Sequence, residues 1–367
     1  MTFSKEDKKY MIEALSLAQK GRGFVSPNPM VGAVIVKDGK VVGRGYHEEY
    51  GKAHAEVNAL SAAGSLAEGA TMYVTLEPCA HYGKTPPCSD QIIKAGVSKL
   101  VYAMDDPNPI MAKRSGRKVL EAAGVLVETG LLEKEAMICN EKFIKYIQKK
   151  MPYITLKLAS TANGKIADRN GDSRWITTEK SRKIVHILRL EHDAIMVGIG
   201  TVIKDNPSLT VRLEGESKPI VKIIIDKELD IPIDAQLFEG NNSVLLVTNE
   251  RFEKSQKAKV LKKKGVGFIF LPLQASYFDF QSVFEEIGSR GISSVFVEGG
   301  SSLANSLFDS ALIDKFYLFI APKVINDNKA IPIFNSPDMQ LISSARTLTL
   351  ISVQNIDSDV LLEYTLN

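Results

Sequence analysis

The stretch that decides the fold runs Lys52-Ala53-His54-Ala55-Glu56 and is followed along the chain by Pro78-Cys79 and Pro86-Pro87-Cys88. One imidazole and two thiolates form a three-ligand set for zinc, which leaves the fourth tetrahedral position open for water. An open position is typical of a catalytic zinc, whereas a structural zinc closes its shell with a fourth protein ligand. The sequence therefore predicts a catalytic zinc site whose ligands are His54, Cys79 and Cys88.

Glu56 is the predicted proton carrier of this site. Zinc lowers the pKa of a bound water, and a nearby carboxylate that is not a ligand can carry a proton to a leaving amine. Residues two apart do not share a helix face, so His54 and Glu56 serve one site only if the metal lies beyond the N-terminal end of their helix. Cys88 also stands where a helix should begin, and helix N-termini favour thiolates. We therefore expect two helix starts to converge on the metal.

Two alternatives to a catalytic zinc remain open at this point. One is a structural zinc site with His81 as the fourth ligand, and the other is a pair of unrelated buried cysteines. The chain has three cysteines, the third being Cys139, and an odd number does not suggest a disulfide scaffold in a cytoplasmic protein. Glu56 argues against a purely structural site, because such a site has no need of the carboxylate.

Length and composition indicate a two-domain globular protein. The 367 residues exceed one ordinary core, and 44% hydrophobic with 24% charged residues is average for soluble domains. The N-terminus lacks the apolar segment of a signal peptide, and no stretch approaches a membrane span, so we expect a cytoplasmic protein without a membrane partner. A net charge of +3 is a weak argument for nucleic acid, and small-molecule substrates are expected instead.

Helical and strand patterns alternate along the chain, which predicts an α/β fold. A long helix over 132–149 ends before Pro152, a sound helix stop. The alternation restarts after it, so domains are expected at residues 1–150 and 151–367. In the second domain strands are expected at 153–159, 194–197, 220–225, 243–247, 267–271 and 294–297.

The N-terminal motifs carry a resemblance to a known family. His-x-Glu followed by Pro-Cys is the pattern of zinc nucleobase deaminases. The long loop from Cys79 to Cys88 resembles the deaminase domain of the bifunctional riboflavin biosynthesis proteins, and the motifs around residues 28–32, 45–47 and 106–109 are similar to that family too. The resemblance implies a cytidine-deaminase-like three-layer α/β/α fold. It also implies substrate contacts from Asn28, His47, Lys84 and Asn108.

The residues of this expected substrate site also have simpler interpretations, in which they do not contact a substrate. Without the resemblance, Asn28 and Asn108 are typical turn residues, and His47 is equally interpreted as a surface histidine. The segment 110–116 departs from the glycine-rich form that the family has there.

The C-terminal half resembles the reductase domain of the same family, whose α/β fold is similar to dihydrofolate reductase. The motifs include Ser173-Arg174-Trp175, His186-Ile187-Leu188-Arg189 and a strand at 295–298 followed by Gly299-Gly300. Glycines before a helix start let backbone N–H groups hold a pyrophosphate, although an ordinary strand-to-helix turn explains them equally well. The resemblance assigns NADPH to Ala159, Trp175, Thr201, Asp205, Gly300, Ser301, Ser302, Leu303, Ala304, Asn305 and Ser306. It assigns the reductase substrate to Ser173, Arg189, Leu209, Arg212 and Glu298.

The resemblance thus implies a bifunctional enzyme with one Zn²⁺ per chain in the deaminase domain and NADPH in the reductase domain. The predicted reactions are deamination at C2 of a diaminopyrimidinone ribosyl phosphate and then reduction of its ribosyl chain to ribityl. The family also implies a homo-oligomer, a dimer or a tetramer. Two rival hypotheses are a deaminase acting on a nucleic-acid base and a non-catalytic, zinc-stabilised scaffold.

Overall fold

The computed structural model describes residues 3–82, 86–109, 115–213, 218–240, 243–335 and 341–366. The chain divides into two compact units, Met1–Lys150 and Met151–Asn367. Within the described residues, no helix is both long and apolar enough to cross a membrane.

The first unit is built on one five-stranded sheet of order β2-β1-β3-β4-β5. The β1–β2 hairpin is antiparallel and turns at Asp38-Gly39, a dipeptide that favours such turns, and both residues have positive φ. Strands β3, β4 and β5 run parallel. The elements are α1 (Lys5–Ala18), β1 (Gly32–Lys37), β2 (Lys40–Tyr46), α2 (Ala55–Ala63), β3 (Thr71–Leu76), α3 (Cys88–Lys94), β4 (Lys99–Met104), α4 (Gly116–Ala122), β5 (Leu126–Thr129), α5 (Glu133–Cys139) and α6 (Glu141–Lys149).

Two glycines of the hairpin show that helices cover both faces of this sheet. A Cβ on Gly32 would lie 2.0 Å from a backbone oxygen of α1, and a Cβ on Gly45 would lie 2.3 Å from a backbone oxygen at the start of α2. Gly45 pairs across the hairpin with Ala33, the neighbour of Gly32, so the two glycines point to opposite faces. The first unit is therefore a three-layer α/β/α sandwich, as expected from the resemblance.

The prediction of one helix over 132–149 is wrong. Two helices, α5 and α6, meet at Asn140, whose φ of −111° departs from helical geometry. The buried Asn140 side chain accepts a hydrogen bond from the Met30 N–H at 2.8 Å and donates one to the Met30 carbonyl at 3.0 Å. A long-range pairing with another loop thus breaks the helix, and helical periodicity does not register such a contact.

The second unit is built on a nine-stranded sheet of order β11-β10-β9-β8-β12-β6-β13-β16-β15, beside a two-stranded sheet of β7 and β14. The strands from β11 to β13 run parallel, and β16 and β15 are antiparallel to their neighbours. The elements are β6 (Tyr153–Thr161), β7 (Lys165–Ala167), α7 (Glu179–Leu190), β8 (Ala194–Gly198), α8 (Ile199–Asp205), β9 (Val221–Ile225), β10 (Val244–Asn249), α9 (Gln256–Lys263), β11 (Gly267–Leu271), α10 (Phe280–Ser289), β12 (Ser294–Val297), α11 (Ser301–Ser310), β13 (Lys315–Ala321), β14 (Ile331–Pro332), β15 (Leu348–Ile356) and β16 (Asp359–Leu366).

All six strands predicted for the second unit are present, and together with β13 they form the parallel part of the sheet. The sequence does not predict the other five strands that the structure describes in this unit, β7, β13, β14, β15 and β16. Leu350, Ile351 and Val353 of β15 are all more than half exposed, so this strand lacks the alternation of buried and exposed side chains that identifies a half-buried strand.

Candidate active sites

His54, Cys79 and Cys88 lie together in the first unit. Each offers one ligand atom, and these atoms all lie within 4.8 Å of one another. His54 Nδ1 is 3.2 Å from Cys88 Sγ and 3.8 Å from Cys79 Sγ, and the Cys88 N–H donates to Cys79 Sγ at 3.3 Å. Among the described residues His81 is not part of this group. The geometry thus favours a three-ligand set over the alternative with His81 as fourth ligand.

Local structure explains how these three side chains meet. His54 is the N-cap of α2, and Cys88 is the first residue of α3. Cys79 follows the end of β3, in the loop that leads to α3. Two helix starts converge on one point, which is the arrangement that the spacing of His54 and Glu56 requires.

The donor set suits zinc electronically as well as geometrically. A hydrogen bond from Cys88, with a further one from His54, lowers the pKa of Cys79 to about 4 against the opposing effect of burial. The same hydrogen bond to Cys79, together with burial, raises the pKa of the Cys88 thiol. A thiolate is therefore already favoured at Cys79, and two sulfurs with one imidazole nitrogen are ligands that zinc accepts readily.

Glu56 lies beside the cluster without belonging to the ligand group. It is in the first turn of α2, its side chain is buried, and burial raises its pKa to about 7. A carboxyl group with a pKa near neutral is suited to both accept and release a proton at the pH of a cell.

The cluster opens into a cavity of about 360 Å³ in the first unit. The cavity brings Asn28, His47 and Asn108 to the same space as His54, Glu56 and Cys79. Lys84, the fourth residue of the expected substrate set, lies outside the described residues.

His47 and Asn28 form a linked pair on the cavity wall. Asn28 Nδ2 lies 3.2 Å from His47 Nε2, and His47 Nδ1 lies 3.0 Å from the Ala53 carbonyl. Burial lowers the pKa of His47, which is only 3% exposed. The interpretation of His47 as a surface histidine is therefore wrong. His47 contacts the carbonyl oxygen of Ala53, and Ala53 directly precedes His54. The Asn28–His47 pair is therefore linked through the backbone to one of the three candidate zinc ligands.

Sequence reasoning assigned no role to Asp106 or Asn140, and it named His81 only as an alternative zinc ligand rather than as part of the wall of this cavity. Asp106 lines it, and burial raises the pKa of this carboxyl group to about 6. His81 lines it too, with a buried Nδ1 that has no hydrogen-bond partner among the described residues. Asn140 fixes the loop that carries Asn28 through its two bonds to Met30. Asp106 and His81 stand within motifs already quoted, whereas no local signal marks Asn140.

A larger cavity of about 820 Å³ lies in the second unit. It lies at the carboxyl ends of β8, β9 and β12 and alongside residues 157–159 of β6, and ligands of open parallel sheets bind outside the carboxyl ends of the strands. Most of the residues that the resemblance assigned line it, namely Ala159, Ser173, Trp175, Arg189, Thr201, Asp205, Arg212, Glu298, Gly300, Ser301, Ser302, Leu303 and Ser306.

Three assigned residues are not among those lining this cavity. Leu209 packs in the hydrophobic core, and Ala304 is fully buried on α11. Asn305 accepts a hydrogen bond from the Asn335 N–H at 3.3 Å. The helical run 301–306 presents only part of its surface to the cavity, because successive helical residues point in different directions.

Arg189 and Glu298 form a two-point ion pair in the wall of this cavity. Arg189 Nη2 donates to Glu298 at 3.0 Å, Nε donates to the other carboxylate oxygen, and Nη1 donates to the Thr210 carbonyl at 3.0 Å. Burial opposes ionisation of Glu298, yet the guanidinium keeps the pKa of this carboxyl group below its usual value. The positive charge of Arg189 is therefore already compensated by the protein.

Trp175 and the start of α11 give the cavity two features suited to a nucleotide. Trp175 is 63% exposed and the Arg182 guanidinium lies 4.4 Å from its ring centroid, so this ring is not part of the hydrophobic core. Gly300 caps α11 without any side-chain hydrogen bond, which leaves the first N–H groups of the helix available.

Comparisons with protein families match both units. Residues 4–104 match the family model of the cytidine and deoxycytidylate deaminase zinc-binding region, and residues 152–362 match that of the RibD C-terminal domain. The riboflavin biosynthesis protein RibD of Aquifex aeolicus is 46% identical over 89% of this chain and 89% of its own. The RibD protein of Escherichia coli is 37% identical over 97% of this chain and 98% of its own.

Solved structures show the same similarity over the full length. RibD of Acinetobacter baumannii superimposes with a TM-score of 0.89 at 34% identity, covering 99% of both chains. A diaminohydroxyphosphoribosylaminopyrimidine deaminase/5-amino-6-(5-phosphoribosylamino)uracil reductase of Thermotoga maritima gives a TM-score of 0.88 at 36% identity, again covering 99% of both chains.

Proposed function

The chain belongs to the RibD family of riboflavin biosynthesis proteins, and on this premise we propose how its two cavities divide the chemistry. It is a bifunctional enzyme of riboflavin biosynthesis with a pyrimidine deaminase domain and a reductase domain. We place the deaminase in residues 1–150 and the reductase in residues 151–367. The substrate of the first reaction is 2,5-diamino-6-ribosylamino-4(3H)-pyrimidinone 5′-phosphate, and the product of the second is 5-amino-6-ribitylaminouracil 5′-phosphate.

In the deaminase, His54, Cys79 and Cys88 hold one Zn²⁺. When bound, zinc supplies a water of lowered pKa for attack at C2 of the pyrimidine. Glu56 accepts a proton and delivers it to the departing ammonia, and its near-neutral pKa and its place at the cavity suit both steps. The observation that carries this proposal is the convergence of the three ligand atoms with a buried carboxylate on one cavity.

The deaminase substrate is bound by Asn28, His47 and Asn108, together with Lys84. Amide groups can read the edge of a pyrimidine, and a lysine can meet a phosphate. Because Asn28 and His47 are hydrogen-bonded to each other and His47 to the Ala53 carbonyl, these side chains are held in place before substrate arrives.

In the reductase, NADPH and the ribosylaminouracil phosphate share the larger cavity. NADPH supplies the hydride for C1′ of the open-chain ribose. The N–H groups at the start of α11 bind the pyrophosphate, and Trp175 offers an aromatic face to the cofactor, while Thr201, Asp205 and Ala159 complete its site. Ser173, Arg189, Arg212 and Glu298 surround the substrate, and the Arg189–Glu298 pair fixes the wall on which it rests.

The experiment that tests both activities uses purified, zinc-loaded protein and the diaminopyrimidinone phosphate. Ammonia release is followed first, NADPH is then added, and its absorbance is recorded. We expect NADPH oxidation to depend on prior deamination. Absence of both signals would overturn the proposal, and ammonia without oxidation would overturn its reductase half.

We propose in addition that the enzyme works in the cytoplasm as a homo-oligomer with small-molecule partners only. Light scattering of the purified protein measures the assembly directly, and a monomer at micromolar concentration would contradict it. A complex with RNA that weakens steeply with salt would instead revive the hypothesis of a nucleic-acid substrate.

A further inference from the structure

His186 lies in the larger cavity and has no part in the function described so far. It is on α7, one turn before Arg189, and lines the cavity together with Arg189, Arg212 and Glu298. Residues three apart on a helix share a face, so His186 and Arg189 are directed to the same side of α7.

One nitrogen of the imidazole is occupied by the protein. The backbone N–H of Arg212 donates to His186 Nδ1 at 3.2 Å. A nitrogen that accepts a hydrogen bond carries no proton, so in the neutral ring the proton is on Nε2. Burial, with the nearby positive charges of Arg189 and Arg212, lowers the pKa of His186 to about 4, and Glu298 offsets only part of this effect. At neutral pH the ring is therefore a neutral donor through Nε2–H.

The other nitrogen is left for a ligand. Across the part of the chain that the structure describes, Nε2 has no hydrogen-bond partner, and it is not among the buried side-chain atoms that lack one. Solvent therefore reaches an N–H group on a residue of the cavity wall.

The neighbouring charges indicate what kind of ligand group this donor meets. Arg189 is compensated by its two-point pair with Glu298. Arg212 is exposed, and no carboxylate among the described residues pairs with it. An anionic oxygen entering this end of the cavity meets the Arg212 guanidinium, which no described carboxylate pairs with, beside the neutral donor of His186. The Lys157 ammonium also lines the cavity, and it interacts with Glu298 and Arg189.

We propose that His186 is a substrate-binding and positioning residue of the reductase, which recognises a phosphate monoester. Its Nδ1 holds the backbone of Arg212 in place, and its Nε2–H donates to a phosphate oxygen beside the Arg212 guanidinium. This inference rests on the proposed reductase function and refines it, because it assigns the phosphate of the substrate to Arg212 and His186 within that site.

Two substitutions of His186 test the roles of its two ring nitrogens separately. His186→Asn places an amide oxygen near the position of Nδ1 and removes the Nε2 donor, whereas His186→Gln reaches the position of Nε2 and removes the Nδ1 acceptor. Losing one hydrogen bond to a charged group should raise KM for the phosphorylated substrate about tenfold in His186→Asn, with the effect on KM rather than kcat. The KM of His186→Gln should be much closer to the wild-type value, because this side chain keeps a donor near the position of Nε2. Ile187→Ala, an exposed neighbour on the same helix, is the control for α7.

Ribose 5-phosphate and ribose are binding probes that do not require turnover. Trp175 is the only tryptophan and lines the same cavity, so its fluorescence reports their binding and, separately, that of NADPH. We expect wild-type protein to bind ribose 5-phosphate more tightly than ribose. In His186→Asn the ratio of these two affinities should fall about tenfold, while the affinity for NADPH stays unchanged.

The outcomes are distinguishable. KM and probe preference within about twofold of wild type in His186→Asn would overturn the inference, since one lost charged hydrogen bond costs more than that. Equal losses in His186→Asn and His186→Gln would also overturn it, because the role would then be structural. Wild-type protein that binds ribose 5-phosphate selectively yet oxidises no NADPH would refute the proposed function and leave the phosphate site standing.

Discussion

Arg189 Nη2 lies 3.0 Å from Glu298 Oε2, and the Nε of the same guanidinium contacts the second carboxylate oxygen, so α7 is bonded to the end of β12 by two parallel contacts. The two side chains are only 13% and 15% exposed. Glu298→Gln leaves a buried guanidinium without its counter-charge, and we expect the free energy of unfolding in urea to fall by about 3 kcal/mol. Glu179→Gln, which removes the exposed pair with Lys183, should cost less than about 0.5 kcal/mol. Equal losses in the two variants would show that burial of the pair adds nothing.

Glu56→Gln should abolish ammonia release and leave the zinc in place. The amide has the shape of the carboxyl group but cannot carry a proton, so we expect a loss of at least about 10²-fold in deamination rate. Zinc content by elemental analysis and the thermal unfolding midpoint should match wild type. The control is Glu49→Gln, on an exposed loop residue. Loss of folding or of zinc in Glu56→Gln would favour a structural scaffold.

Replacement by serine should have different effects at a cysteine of the ligand group and at the cysteine outside it. Cys88→Ser removes a ligand from the cluster, so we expect loss of bound zinc and of deamination. NADPH oxidation with the deaminated substrate should persist, because the cavity of the second unit is lined by residues of that unit. Cys139→Ser, at a free cysteine outside the ligand group, should keep its zinc. Zinc retained in Cys88→Ser would refute the three-ligand assignment.

Gly45→Ala should disrupt the helix that presents His54 and Glu56. The added methyl group would lie 2.3 Å from the backbone oxygen of Ala55 and 2.3 Å from the backbone nitrogen of Ala59. No flexible side chain stands between strand and helix, so we expect a loss of about 1–3 kcal/mol in stability and weaker zinc binding. Gly200→Ala, where the Cβ meets nothing within 4 Å, should leave stability unchanged or slightly improved, because alanine favours helices. Comparable losses at both positions would contradict the assignment of the effect to steric contact.

His186 should also shape the dependence of stability on pH. Its pKa is about 4 in the folded chain, where it faces Arg189, Arg212 and Glu298, and about 6.5 in an unfolded one. Between these values the unfolded chain binds a proton that the folded chain refuses, so this contribution is present above about pH 6.5 and is lost as the pH falls through about 4. The stability of wild type relative to His186→Asn should therefore rise with pH across this window. A difference that is constant from pH 4 to 7 would show that the folded pKa is not lowered.

The sequence was most informative where chemistry is carried by short motifs. Residue type and spacing single out His54, Cys79, Cys88 and Glu56 and predict that two helix starts meet, and the structure brings the three ligand atoms together beside Glu56. The parallel strands of the second unit were also predicted, because buried strands between helices give apolar runs that stand out.

Long-range contacts were not predictable in the same way. The break at Asn140 depends on Met30, far away in the chain, and helical periodicity continues across it. The ion pair between Arg189 and Glu298 likewise joins residues that are distant in the chain. It neutralises the charge of Arg189 and so changes which cation is available to a phosphate. Residue patterns register neither contact, since both depend on the folded arrangement of separate elements.

The three candidate zinc ligands come from three segments of the chain, since Cys79 lies 25 positions after His54 and Cys88 lies 9 positions after Cys79. An ion that binds these ligands only where the fold brings them together stabilises the folded state over the unfolded one, so its affinity is also folding free energy. Scarcity of zinc would then act on the deaminase twice, first by stopping turnover and then by shortening the lifetime of the folded polypeptide against proteases. The abundance of this enzyme in a metal-starved cell should consequently fall faster than its synthesis.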